Sequence, residues 1–138
     1  PHGELIASGK KKLIVKSKRF ESHINEPLYL LEDNLCWGII SLQPPEKISW
    51  EKFLELQEKH LISEEEVEDW NWNRNNLYAY EFQVLKVFDP PRPVKVPKGV
   101  QVFVSSKKLK WKKEFSLLDL LSYPWPKKRS RQEIHLFL

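Results

Sequence analysis

Lysine and arginine dominate the residues of this chain that could do chemistry, and they gather at its two ends. Lys10, Lys11, Lys12, Lys16, Lys18 and Arg19 crowd the start, within SGKKKLIVKSKRF at residues 8 to 20. Lys107, Lys108, Lys110, Lys112, Lys113, Lys127, Lys128, Arg129 and Arg131 crowd the end. Such clusters can neutralise phosphates: each contact releases condensed counterions, so grouped cations hold a polyanion without reading its sequence. The alternative is a solvated strand face, or a sheet edge protected by lysine. The net charge of +4 is mild, but segregation of charge along the chain says more about partners than the total does. Glu51, Glu55, Glu58, Glu64, Glu65, Glu66, Glu68 and Asp69 form an acidic block in the middle. That block is hard to reconcile with a polyanion crossing the segment, so an anionic partner is expected on the two ends folded together.

The six tryptophans are many for a chain of 138 residues. An unpaired base stacked on an indole gains roughly 1–3 kcal/mol, and arginine planes add to it. Trp70 and Trp72 lie in WNWNRNN with Arg74, where asparagine amides could read a base edge or make turn hydrogen bonds. Trp37 and Trp50 are expected in the core, and Trp125, between two prolines, as a lid over apolar surface. In PPRPVK, residues 90 to 95, Arg92 and Lys95 could meet phosphates from an extended backbone, which could equally be a plain connector. His2, His23, His60 and His135 have no carboxylate or cysteine at a ligand-like spacing, so neither a metal nor a cofactor is expected. Nor does a catalytic set assemble. Lys11, Lys16, Ser17 and His23 have only Glu21 and Asp89 as apparent carboxylate partners, and no residue is assigned a catalytic role.

Helices and strands must position these groups. Residues 3 to 9 read as a short helix closed by Gly9 at a left-handed cap. A strand is expected from Lys12 to Phe20, with Leu13, Val15 and Ser17 on one face and Ile14, Lys16 and Lys18 on the other. Pro27 to Leu31 and Leu35 to Leu42 flank the turn signal Glu32-Asp33-Asn34 and read as a hairpin. Pro44-Pro45 stops the second strand, and Ser49 can cap a helix from Trp50 to about Leu61. Ser63 with Glu66 forms a capping box for another. LYAYEFQVLKVF, Leu77 to Phe88, is the strongest strand signal and is expected in the middle of a sheet. The proline-punctuated DPPRPVKVPKG reads as a connection. Val100 to Val104, an edge strand over 107 to 115, a short helix capped by Ser116 and Asp119, and a last strand from Glu133 complete the chain. The order implies an α+β chain with mostly antiparallel strands.

With the elements in this order the chain resembles the ASCH domains of the PUA-like superfamily. Those domains open with a short helix ending in Gly-x-Lys-x-x-Glu-x-Arg that runs into the first strand. Gly9 and Lys11 match, Ile14 stands in place of the glutamate, and Lys16 in place of the arginine. The later layout also agrees: a glycine-bearing hairpin strand like CWGIISL, a helical insertion, a long aromatic strand like LYAYEFQVL, and then PPRPVKVPKGVQVFV. The resemblance covers roughly residues 3 to 105. It implies a small β-barrel with flanking helices that binds RNA or other nucleic acid in a cleft near the first motif. Some members of the wider group read modified bases in aromatic pockets, and a few ASCH domains act as ribonucleases. With Ile14 at the glutamate position, an activity resting on that carboxylate lacks its residue.

The expectation is a single PUA-like domain over residues 1 to 138, with a helical insertion at about 49–70 and a C-terminal extension at about 106–138. It is expected to bind nucleic acid, RNA first, through Lys11, Lys12, Lys16, Lys18 and Arg19, with Trp70, Trp72, Arg74, Arg92 and Lys95 contributing. Two rivals stand beside it: a ribonuclease in the same cleft, in which Lys11 and His23 stabilise the transition state, and a protein-interaction module docking through the acidic insertion. The lone Cys36 permits no internal disulfide and is expected to be buried. The longest apolar runs, about five residues, fall far short of the roughly 20 needed to span a bilayer. With no apolar leader, the expectation is a soluble, cytoplasmic protein without a membrane partner.

Overall fold

The structure, a computed structural model, describes residues 2–95, 103–105, 110–111 and 133–136. Helix α1 spans His2–Ala7 and ends where glycine permits it: Gly9 takes φ +80°, and the Ser8 and Gly9 amides donate back to Glu4 and Ile6. The chain then reverses so tightly that the Lys11 amide donates to the Leu5 carbonyl at 2.9 Å. Strand β1 (Ile14–Lys16) follows, then the hairpin β2 (Pro27–Glu32) and β3 (Leu35–Leu42), and the short β4 (Glu46–Ile48). Three short helices come next, α2 (Trp50–Glu55), α3 (Gln57–His60) and α4 (Glu64–Asp69). The chain continues through β5 (Leu77–Tyr80), β6 (Phe82–Lys95), β7 (Phe103–Ser105), β8 (Lys110–Trp111) and β9 (Glu133–Leu136).

The strands form two sheets. The smaller has the order β1-β5-β4 and is antiparallel throughout. The larger runs β7-β9-β2-β3-β6-β8 and is antiparallel apart from the β2–β9 pair. The chain is therefore α+β with mostly antiparallel strands, while among the described residues the ladders form two open sheets and no closed barrel. No described helix is long and apolar enough to cross a membrane.

Strand alternation sorts the core into two layers. Ile14 and Tyr80 join Ile6, Leu28, Leu30, Ile40 and Leu42 between the small sheet, α1 and the β2–β3 hairpin. Leu13, Val15, Leu77 and Ala79 project the other way and pack with Ile48, Phe53, Ile62 and Val67 beneath the helices. The two faces expected for residues 13 to 16 are thus the two faces of a buried sheet. Gly38, opposite Val87, lets β6 approach β3 closely, since a Cβ there would collide with the Lys86 carbonyl oxygen.

Several elements differ from expectation for identifiable reasons. The first strand is short: after Lys16 the chain bends away, and the Tyr80 hydroxyl holds the bend by donating to the Lys18 carbonyl at 2.8 Å and accepting the Phe20 amide at 3.0 Å. The single helix expected from Trp50 to Leu61 divides at Leu56. There the Phe53 carbonyl accepts from the Leu56 amide and from His60 Nε2, and Leu61 ends α3 at φ +55°. The aromatic strand breaks at Glu81 and changes sheets, so that Leu77–Tyr80 is central in the small sheet and Phe82 onward lies between β3 and β8. Residues 89 to 95 are strand, not a connector. The β3–β6 pairing jumps from Val87 to Arg92, and Pro90 and Pro91 fall in that irregular stretch, where no ladder hydrogen bond is required of them. The helix expected after Ser116 lies outside the described residues; β8 falls at a sheet edge within the expected 107 to 115.

Candidate nucleic-acid interface

The reversal at Gly9 sends the Lys11 side chain back along α1 to its first residue. Lys11 Nζ lies 3.0 Å from His2 Nδ1, and His2 Nε2 lies 2.7 Å from Glu66 Oε2 at the start of α4. A carboxylate only accepts, so His2 Nε2–H donates to Glu66 and Nδ1 accepts from Lys11. The second Glu66 oxygen accepts the Ser63 amide at 3.1 Å, and the Ser63 hydroxyl accepts the Glu66 amide at 3.1 Å, completing the capping box. One glutamate therefore both starts α4 and anchors a line of hydrogen bonds to a buried amine. Glu32, buried at the end of β2, accepts the Gly3 amide at 2.8 Å and contributes negative charge felt by Lys11, Lys16 and His2.

Burial governs the protonation of these groups. Lys11 is only 4% exposed. Burial, then the Lys16 charge, lowers it to about 7 against the opposing pull of Glu66 and Glu32. Burial likewise lowers Lys16 to about 8, with Glu32 opposing. His2 falls below its ordinary value through burial and the Lys11 charge, which outweigh the bond to Glu66. For Glu66, burial pushes the carboxyl up, but His2 and Ser63 outweigh it and hold it below its usual range. The cluster thus holds an amine lowered to about 7 beside an imidazole held below its ordinary value.

Trp70 and Trp72 close the cluster from the loop after α4. Asn71 between them adopts φ +55°, which turns the two indoles toward each other, 4.9 Å apart at 46°. Trp70 also meets the His2 ring edge-on at 5.8 Å. His2, Lys11, Lys16, Trp70 and Trp72, with Ile6, Ile14, Val15 and Ile62, line one cleft. Its volume is about 10 Å³, room for about one water molecule.

Four of the expected site residues, Lys11, Lys16, Trp70 and Trp72, therefore converge, while the others do not line this cleft. Lys12 is exposed and lines a separate groove. Lys18 and Arg19 are exposed in the bend after β1, where Arg19 pairs with Glu21 at 2.7 Å. Arg74 stacks over Trp50 at 4.1 Å and lies 3.8 Å from Glu68. Arg92 lies in the large sheet opposite Cys36, with its guanidinium over Phe88 at 5.7 Å, and the Lys95 backbone stands opposite that of Lys110 in the β6–β8 ladder. Apart from Lys110, the C-terminal lysines and arginines, with Trp125, lie outside the described residues.

His23 does not partner Lys11; it bonds Glu26 at 3.1 Å, and His2 takes that place. His60 is fully buried, bonded to the Phe53 carbonyl and the Ile62 amide. Cys36 is a buried free thiol, raised by that burial. Among the described residues, no group of three or more His, Cys, Asp or Glu side chains is placed to hold a metal ion. His2, Glu32 and Glu66 are the functional candidates that sequence spacing missed. The accessible signals were Glu66 in its capping box and the spacing of His2 and Ile6, one helical turn apart on a shared face. No protein-family model matches the chain, and no curated protein matches it in a sequence search.

Proposed function

We propose that this chain is a nucleic-acid-binding domain, with single-stranded RNA as the favoured ligand, built as a PUA-like barrel of the ASCH type. The observation that carries the proposal is the convergence of Lys11, Lys16, Trp70 and Trp72 on one cleft at the first helix–strand junction. In this closed form the cleft is too small for a nucleobase, so a base enters as the Trp70–Trp72 pair swings out, and then stacks on the indoles. Lys11, Lys16 and His2 offer hydrogen bonds to the base edge, and exposed Lys10, Lys18 and Arg19 meet the flanking phosphates. The buried free thiol of Cys36 suits a reducing compartment, and the reading keeps the domain in the cytoplasm.

Titration against labelled single-stranded RNA, duplex RNA and DNA tests the proposal. The expected result is preferential binding of single-stranded RNA, weakened about 5- to 160-fold by Trp72→Ala, the loss of roughly 1–3 kcal/mol of stacking. No binding to any of the three at about 50 mM salt, where electrostatic attraction is strong, would refute it.

A second reading, RNA cleavage in the same cleft, is favoured by the Glu66–His2–Lys11 line, which presents an amine of near-neutral proton affinity through an oriented imidazole. RNA that stays intact for hours with protein and chelator would remove that reading and leave the binding role in place.

A further inference from the structure

A second concave surface lies on the other side of the segment that carries Lys11. Lys12 points into an open groove of about 1010 Å³, bounded by the strand before α2, by α2 and α3, and by the Glu81 corner where β5 passes into β6. The Lys12 and Leu13 amides both donate to the Lys59 carbonyl, at 2.7 and 3.2 Å, which fixes Lys12 and Lys59 as neighbours on one wall. Lys47 on β4 and Lys52 on α2 also line it, and Leu13, Ile48 and Phe82 are among its apolar lining.

The charges of the helical segment are sorted with respect to this groove. Between residues 46 and 60 all three lysines, Lys47, Lys52 and Lys59, line it, whereas Glu46 is the one of four glutamates that does. Glu51, Glu55 and Glu58 are exposed outside its lining. With Lys12 and Glu81 the lining holds four lysines and two glutamates. Among the described residues Lys12, Lys47 and Lys59 form no ion pair; Lys52 is 3.6 Å from Glu55. The acidic block that appears in sequence to bar a polyanion is thus folded so that its lysines share one wall system.

From this geometry we infer that the groove binds the backbone of single-stranded nucleic acid, as a site separate from the Trp70–Trp72 cleft. Lys12, Lys47 and Lys59, which form no ion pair among the described residues, supply the attraction for phosphates along the open channel, and Lys52 can exchange its exposed contact with Glu55 for a phosphate. The half-buried Phe82 ring offers a face on which a base can pack, which a duplex with its bases stacked inside could not use. Because the inference rests on the reading of the chain as a nucleic-acid binder, the test keeps the two apart.

The probe is a fluorescein-labelled oligouridylate of about 12 nucleotides, within the range of known single-strand sites. Affinity is measured from about 50 to 200 mM salt for the parent, for the triple variant Lys47→Ala/Lys52→Ala/Lys59→Ala, and for Trp72→Ala. Each phosphate contact on a single strand contributes about 0.7 to the slope of log affinity against log salt, so the triple variant is expected to lose about 2 from that slope. Trp72→Ala is expected to weaken binding at every salt concentration with the slope unchanged. Placing arginine instead of alanine at the three positions should keep the parent's slope, and circular dichroism checks that the variants fold. A triple variant with the parent's slope overturns the groove site and leaves the cleft reading standing. No binding by the parent at any salt concentration overturns both. Binding of polyglutamate in place of the oligouridylate, lost in the triple variant, also overturns the inference, because the groove would then be a protein-docking surface.

Discussion

Replacing Lys11 with methionine should change stability by an amount that depends steeply on pH. Lys11 is 4% exposed, and burial followed by the Lys16 charge lowers it from 10.5 to about 7. In the unfolded chain it titrates near 10.4. Between those two values the unfolded chain still holds a proton that the folded protein has released, so stability rises with pH across that window. Below about pH 7 both states are protonated and the full cost of burying the ammonium is present. At about 1.4 kcal/mol per pH unit, the fall from 10.5 to about 7 corresponds to about 5 kcal/mol. Lys11→Met removes that cost but leaves His2 Nδ1 without its donor, a loss of about 1–3 kcal/mol. The variant should therefore exceed the parent by about 2–4 kcal/mol at pH 6. At pH 9 only about 2 kcal/mol of the charging cost remains, and the two effects nearly cancel. Lys16, His2 and His60, all lowered by burial, tilt the parent profile in the same direction. Their own burial is retained in the variant and cancels in the difference between the two proteins, while the part of the His2 and His60 lowering that comes from the Lys11 charge is relieved with it and favours the variant at low pH as well. Urea unfolding followed by tryptophan fluorescence at both pH values supplies the numbers. A difference that stays constant within about 0.5 kcal/mol from pH 6 to pH 9 would refute the placement of Lys11 in a low-dielectric site.

Two further substitutions probe the frame around the cleft. Gly38→Ala should destabilise by about 1–3 kcal/mol or prevent folding, because the new methyl meets the backbone of β6 at Lys86, where nothing flexible can yield; an unchanged urea midpoint would contradict the tight β3–β6 approach. Tyr80→Phe should cost about 1–2 kcal/mol, since the Lys18 carbonyl loses its donor and the Phe20 amide its acceptor. Faster hydrogen exchange at the Phe20 amide checks that the loss is local to the basic bend, and unchanged exchange there would assign the phenol no role in holding it.

The parts of the fold legible in the sequence were those set by local chemistry. Gly9 ends α1, the Asp33-Asn34 turn joins β2 to β3 with both residues at positive φ, and Ser63 with Glu66 starts α4. Alternation over Leu13 to Lys16 correctly separated two faces, because that strand is buried on both sides. What local pattern could not show is which partner each strand finds. Tyr80 and Phe82 continue one alternation and even pack on one core cluster, yet Tyr80 belongs to the small sheet and Phe82 to the large one. Period-two spacing persists around a corner, so periodicity alone does not mark the change of sheet. Similarly, the prolines of DPPRPVK argue against a regular ladder, and the chain satisfies that constraint with a register shift while remaining a strand.

The site divided along the same line. Basic and aromatic residues announced themselves by type, and Lys11, Lys16, Trp70 and Trp72 do converge. The carboxylate chemistry did not, because a motif records sequence neighbours and a protonation state records spatial ones. Ile14 stands where a carboxylate is expected, but it is packed in the core under α1. Negative charge instead reaches Lys11 from Glu66 and Glu32, on elements far along the chain. Glu66 could be read as a helix cap, and that reading is correct; its second partner, His2, lies 64 residues away and becomes visible only once α1 and α4 are packed together. The same folding turns the helical segment's lysines, but few of its glutamates, toward the groove beside Lys12. Net charge along a stretch of sequence therefore says little about the potential on either side of it, and the face a side chain takes decides whether a phosphate meets Lys59 or Glu58.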